Sequence, residues 1–159
     1  MVMDARELAF EIQAAWAAPN QPLALFEAGS SAFARLVGHR LYTATWIVPG
    51  GAQVERLYST NETVYPVGGR KPVTQDDYDK LTNEGGRPFL ARSPAEFATF
   101  PDQDVIVGLG LGAVMNLPVR YDGRVLGTVN LLDREGAYGE HQLEGAMLLA
   151  QQVLPAFLR

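Results

Sequence analysis

The sequence predicts an α+β fold in which helices at the ends of the chain cover one face of an antiparallel sheet and an irregular middle segment covers the other. Three observations carry this. Apolar residues recur at helical spacing near both termini, two pairs of β-branched runs are each joined by turn residues, and the second pair is apolar on both faces. An antiparallel sheet open to water on one side alternates apolar and polar positions, so a pair greasy on both faces needs two covers.

The first helix is expected over Asp4–Ala17, where Leu8, Ile12, Ala15 and Trp16 share a face, and Pro19 ends it. A second opens with Asn20 as cap and Pro22 in the first turn. It keeps its stripe through Phe26, Phe33 and Val37 and stops at Gly38, which can take a left-handed cap. Leu41–Val48 and Gln53–Ser59 read as strands joined through Pro49-Gly50-Gly51.

Thr60–Gly112 is broken by Gly and Pro. Within it Thr74 and Asp77 suggest a capped helix over Gln75–Asn83, with Asp76, Asp77 and Asp79 favouring its N-terminus. Pro88–Ala91 reads as a short edge strand, and Ser93-Pro94 with Glu96 as a short helix through Phe100. A segment this long and loosely organised usually covers something. Ala113–Tyr121 and Arg124–Leu132 then flank Asp122-Gly123, the sequence of a two-residue type I′ turn.

Pairing Tyr121 with Arg124 in an uninterrupted ladder sets Val119 against Leu126, Leu117 against Thr128 and Met115 against Asn130, which places Asn116 and Asn130 on opposite faces. The last helix, Gly139–Leu158, carries Leu143, Met147, Ala150, Leu154 and Phe157 on one stripe and Leu148, Leu149 and Val153 off it. That is more apolar surface than one sheet face buries, so the terminal helices are expected to form a homodimer interface.

Composition narrows the function. With 159 residues the chain can bury roughly 70% of its unfolded surface as a single domain. It carries a net charge of −5, and no basic cluster exceeds Arg70-Lys71, which leaves little with which to neutralise phosphates, so no nucleic-acid partner is expected. There is no Cys, which removes disulfides, thiolate chemistry and thioether-linked chromophores. No apolar run is long enough to span a membrane and no leader pattern opens the chain, so a cytoplasmic protein is expected.

The element order, together with Val114-Met115-Asn116-Leu117-Pro118-Val119 and Asp122-Gly123-Arg124-Val125-Leu126-Gly127-Thr128-Val129-Asn130-Leu131, resembles GAF domains. The motif match lies within residues 109–132 and the match in element order covers nearly the whole chain. The resemblance implies a six-stranded antiparallel sheet with the terminal helices on one face and a small-molecule pocket under the segment on the other. The chain departs from several branches of that family. Asn130 is followed by Leu131, and Gln142-Leu143 stand where cyclic-nucleotide binders carry Asp-Glu. Bilin attachment and methionine-sulfoxide reduction in the family both use Cys.

Other motifs are weaker. Gly108-x-Gly110-x-x-Ala113 lacks room for the helix that a dinucleotide site needs, and Val67–Pro72 lacks phosphate-loop spacing, although its glycines and Arg70 could still approach an anion. His39 and His141 have no carboxylates at metal-ligand spacing, and Ser30-Ser31 sits in a helix and not on a nucleophile elbow.

In the second strand, alternation sets Val54, Arg56 and Tyr58 on one side. The candidate ligand site is therefore Arg56 and Arg70 for an anionic group, Tyr58, Tyr65, Phe89 and Phe97 for enclosure, and Asn116, between the sheet and residues 60–112. The expected function is a ligand-binding sensory module in signal transduction that acts through a separate output protein. A ligand-free association module is the alternative and an enzyme ranks last. No cofactor or metal is specified.

Overall fold

A computed structural model of the chain describes residues 4–50, 52–74 and 86–159. The helix expected over Gln75–Asn83, with Asp76, Asp77 and Asp79, lies outside the described residues. Helix α1 (Ala5–Ala14) is capped by Asp4, whose carboxylate accepts from the Arg6 amide at 3.1 Å, and it buries Leu8 and Ile12. It ends a turn earlier than expected, in a short 3-10 turn over Ala15–Ala17. Trp16 consequently leaves the core, 47% exposed, with its indole N–H donating to the Gln152 carbonyl at 2.8 Å.

Helix α2 (Leu23–Leu36) buries Leu25, Phe26 and Phe33. Asn20 supplies its backbone carbonyl to Ala24 and takes a φ of 66°, so its side chain is not the cap. At the other end Gly38, at φ 80°, donates to the Phe33 carbonyl, the left-handed termination that glycine favours.

Strands β1 (Leu41–Ile47), β2 (Gln53–Ser59), β3 (Arg70–Pro72), β4 (Phe89–Ala91), β5 (Ala113–Tyr121) and β6 (Arg124–Asp133) form one six-stranded antiparallel sheet in the order β3-β2-β1-β6-β5-β4. Asp122 and Gly123 both have positive φ in the β5–β6 turn, as a type I′ turn requires. Between β4 and β5 the chain makes a 3-10 turn (Pro94–Phe97) and helix α3 (Gln103–Gly108). The sequence reading did not anticipate α3; it ends on the glycines of the Gly108–Ala113 run and does not start there.

Two bulges decide which residues face which way. Arg120 pairs with Val125 but Val119 pairs with Gly127, so Leu126 is an extra residue and everything beyond it shifts by one. Asn116 therefore lies opposite Asn130 on the same face, which corrects the opposite-face expectation. Gln151 makes the irregularity tolerable: its side chain accepts from the Arg120 amide at 3.2 Å and donates to the Arg120 carbonyl at 2.6 Å. In β2, Tyr58 pairs with Ala44 and Arg56 with Thr45, leaving Leu57 as the extra residue.

Helix α4 (Leu143–Gln152) continues through a 3-10 turn over Leu154–Phe157 and packs beside α1 and α2 on one face of the sheet. Tyr42, Ala44, Met115, Leu117, Val129 and Leu131 form the sheet's half of this core. Leu149 and Val153, expected to be surplus, are fully buried because α4 is covered by helices as well as by the sheet; Leu148 stays 37% exposed. A smaller core of Leu41, Tyr65, Ala91, Phe97, Ile106, Leu111, Val114 and Leu132 fills the other face.

Gly127 ties the layers together. A Cβ there would lie 2.2 Å from the Thr45 carbonyl and 2.7 Å from the Phe157 ring, so only glycine lets β1 and the last turn close on β6 at this point.

Candidate functional site

Beside the smaller core lies a cavity of about 170 Å³. Its floor is a set of cross-strand rows. Leu41, Leu132 and Val114 make an apolar row, Thr43, Asn130 and Asn116 an amide and hydroxyl row, and Thr45 with its β2 partner Arg56 comes next. Tyr65, Phe100, Asp102 and Ile106 close it from the covering segment.

The amide row is half used. Asn130 donates from Nδ2 to the hydroxyls of Thr43 and Thr45, both at 3.1 Å, and fixes them. Asn116, its cross-strand neighbour, makes no side-chain hydrogen bond among the described residues. Asn116 is half-buried, so its amide is open to whatever fills the cavity, water included.

Arg56 is the second open group. Its Nη1 donates to the Pro66 carbonyl at 3.2 Å and its guanidinium carbon sits 4.9 Å from the centre of the Tyr65 ring, a cation–π arrangement. Its Nε–H is buried without a partner, a state that costs more for a charged group than for a neutral one. Burial pulls the Arg56 pKa below its ordinary value, and the nearby Tyr65 and Asp102 oppose that pull.

Tyr65 in turn donates its hydroxyl to Asp102 Oδ2 at 2.7 Å, which links the loop after β2 to the residue before α3 on the cavity wall. Burial first, and then this bond to the carboxylate, hold the Tyr65 phenol protonated well above its ordinary range.

Of the residues singled out from sequence, Arg56, Tyr65 and Asn116 line the cavity. Tyr58 does not: the bulge at Leu57 turns it to the helical side, where its ring stacks on Phe26 at 5.4 Å. Arg70 lies on the edge strand, paired with Glu55 at 2.9 Å. Phe97 is a fully buried part of the smaller core, and Phe89 packs on Phe100 at 5.3 Å beside it, so these rings support the wall without lining the cavity.

Sequence reasoning missed Thr43, Thr45, Asp102 and Phe100 as wall residues, and assigned Asn130 to the wrong face. The alternation of Thr43 and Thr45 in β1 was a usable signal, since hydroxyls on one face of a central strand mark a polar floor. Among the described residues, no group of three or more His, Asp or Glu could hold a metal ion, and no helix is long and apolar enough to cross a membrane.

A family model described as the GAF domain matches residues 24–156. Among solved structures, the chain is similar to the phycocyanobilin-bound GAF domain from a cyanobacterial phytochrome, with a TM-score of 0.73 at 12% identity, covering 98% of this chain and 94% of that one. It is also similar to the GAF domain from a phosphoenolpyruvate-protein phosphotransferase of Coxiella burnetii, with a TM-score of 0.72 at 14% identity, covering 97% and 92%. A third is the chromophore-binding domain of a bacteriophytochrome from R. palustris, at TM-score 0.70 and 12% identity, covering 94% of this chain and 58% of that one. No curated protein sequence matches the chain. These identities speak to the fold alone, whereas the family match spans most of the sequence and coincides with the six-stranded sheet and its two covers; the chain belongs to the GAF domain family.

Proposed function

We propose that the chain is a sensory domain that binds a small molecule carrying an anionic group in the cavity between the sheet and residues 60–112, and passes the signal to a separate output protein. The observation that carries this reading is that one cavity lining holds both the Arg56 guanidinium, whose Nε–H is buried without a partner, and the open Asn116 amide. A ligand carboxylate or phosphate would meet the Arg56 guanidinium, and a charge-assisted bond to a guanidinium is about twice as strong as a neutral one.

Size supports a compact metabolite. At about 170 Å³ the cavity falls below the roughly 300 to 1,000 Å³ of drug-sized sites. The phycocyanobilin of the cyanobacterial relative is therefore not the guide to this ligand, and without a Cys the chain offers no thiol for a covalent chromophore.

Native mass spectrometry of freshly purified protein, with a denatured control, tests the reading: a stoichiometric small molecule released on unfolding is expected. An Arg56→Ala variant should bind that molecule at least about tenfold more weakly, and unchanged binding would remove Arg56 from the site.

A second reading, a homodimer or other association module that works without ligand, is favoured by the apolar side chains left outside on the helical side, with Phe10 69% exposed and Leu148 37% exposed. A monomer at micromolar concentration would sink the homodimer form of it. A dimer that releases no molecule and binds none would favour it over the sensor.

A further inference from the structure

Building on that reading of the cavity, we infer that its ligand is a zwitterion, an α-amino acid with a short apolar side chain, whose carboxylate meets Arg56, whose ammonium group meets Asp102 and which lies over the row that holds Asn116.

The first argument is charge. The cavity wall carries one guanidinium and one carboxylate, Arg56 and Asp102, and no direct ion pair joins them. Each is held instead by a neutral neighbour: Arg56 by the Pro66 carbonyl and the Tyr65 face, Asp102 by the Tyr65 hydroxyl on Oδ2. Asp102 Oδ1 has no hydrogen bond among the described residues, just as Arg56 Nε has none. A purely anionic ligand would satisfy the arginine while bringing its charge up against Asp102. A molecule bearing both signs satisfies both open groups, and bringing two more charges into a half-buried site is favourable only when each meets an opposite partner.

The second argument is the order of the floor. Tyr65 touches both Arg56 and Asp102, so the charged groups lie together, and they adjoin the rows of Thr45, Thr43, Asn130 and Asn116. Beyond the amide row the floor becomes Leu41, Leu132 and Val114, with Ile106 above. The floor therefore runs from Arg56 through hydroxyls and amides to aliphatic side chains, with Asp102 reaching the cavity from the covering segment, the set of groups that an amino acid's head group and side chain would meet. The cavity's volume, equal to five or six waters at about 30 Å³ each, limits that side chain to a few carbons.

Isothermal titration calorimetry on the full chain tests the assignment with L-alanine, L-valine and L-leucine, their N-acetyl derivatives, and the amines that lack the carboxylate. At least one of the three amino acids should bind, and at least about tenfold more tightly than either of its singly charged analogues. Asp102→Asn, which keeps the side-chain shape, should remove the advantage over the N-acetyl compound while leaving the affinity for that compound within about twofold. The wild-type comparison stands even if the variant does not fold. N-acetyl compounds or inorganic phosphate binding as tightly as the amino acids would overturn the zwitterion and leave the anion cavity in place. Absence of binding by all three classes, with no molecule released on unfolding, would overturn both readings.

Discussion

The two faces of the sheet are built by different rules. On the helical side, α1, α2 and α4 press a continuous apolar layer onto the sheet, and Leu8, Ile12, Phe33, Leu117, Leu131 and Leu149 are each fully buried. The loop side has a smaller core and, beside it, a cavity whose floor holds an arginine, two asparagines and two threonines. Hydrophobic burial is the dominant favourable term in folding, so the helical side holds the fold together. On the loop side the Arg56 Nε–H is buried without a partner, which costs stability and adds nothing to packing. The same strands serve both purposes because alternate residues point to opposite faces, and the bulges at Leu57 and Leu126 set the phase of that alternation.

Substitutions of fully buried phenylalanines should separate the faces first. Phe33→Ala on the helical side is expected to cost about 3 to 5 kcal/mol, as truncations in tightly packed cores do. Phe97→Ala on the loop side should cost about 2 to 3 kcal/mol, because a short covering segment beside an existing cavity can collapse more easily around the loss. Urea denaturation of both variants checks this, and equal losses would erase the distinction. Gly127→Ala, which drives a methyl group into the Thr45 carbonyl and the Phe157 ring, should cost about 1 to 3 kcal/mol or more. A thermal melt unchanged by that substitution would show that β1 and β6 need not approach so closely.

The helical side also buries a polar group without a partner, and it gives a pH test. The Tyr42 hydroxyl is buried without a partner, and burial first, then the neighbouring Tyr58, raises its pKa far above the ordinary 10.0. The folded protein keeps this proton where the unfolded chain has released it. The stability it carries is whole below about pH 10 and is lost as the pH climbs above that value. Tyr138, raised mainly by burial, acts in the same direction. Tyr42→Phe should leave stability at neutral pH unchanged or raise it by about 1 kcal/mol, since an unpartnered buried hydroxyl is a net cost. It should also flatten the decline above about pH 10. A clear loss at neutral pH would mean that the hydroxyl has a partner.

Much of the fold was legible in local sequence: the helical stripes of α1 and α2, the Gly38 stop and the Asp122-Gly123 turn each depend on a few adjacent residues. The faces of β2 and β6 were not, because a bulge is fixed by tertiary partners such as Gln151 on Arg120, which lie far along the chain. The one-residue shift at Leu57 moved Tyr58 out of the cavity, and the one at Leu126 brought Asn130 into it. Arg56 and Tyr65 could be anticipated from their place beside a covering segment. Asp102 could not, because only the closure of α3 over the sheet brings it to Tyr65.

Within the amide row the contrast can be made sharpest. Asn130→Leu removes the donor to Thr43 and Thr45 and should cost about 1 to 3 kcal/mol. Asn116 lines the same cavity without a hydrogen bond among the described residues, so truncating it removes no such support. The most direct test is the unfolding free energy of Asn116→Leu, read together with its ligand binding. The account predicts stability equal to or above that of the unaltered protein and binding lost by about tenfold or more. A loss of stability like that of Asn130→Leu, with binding intact, would contradict it.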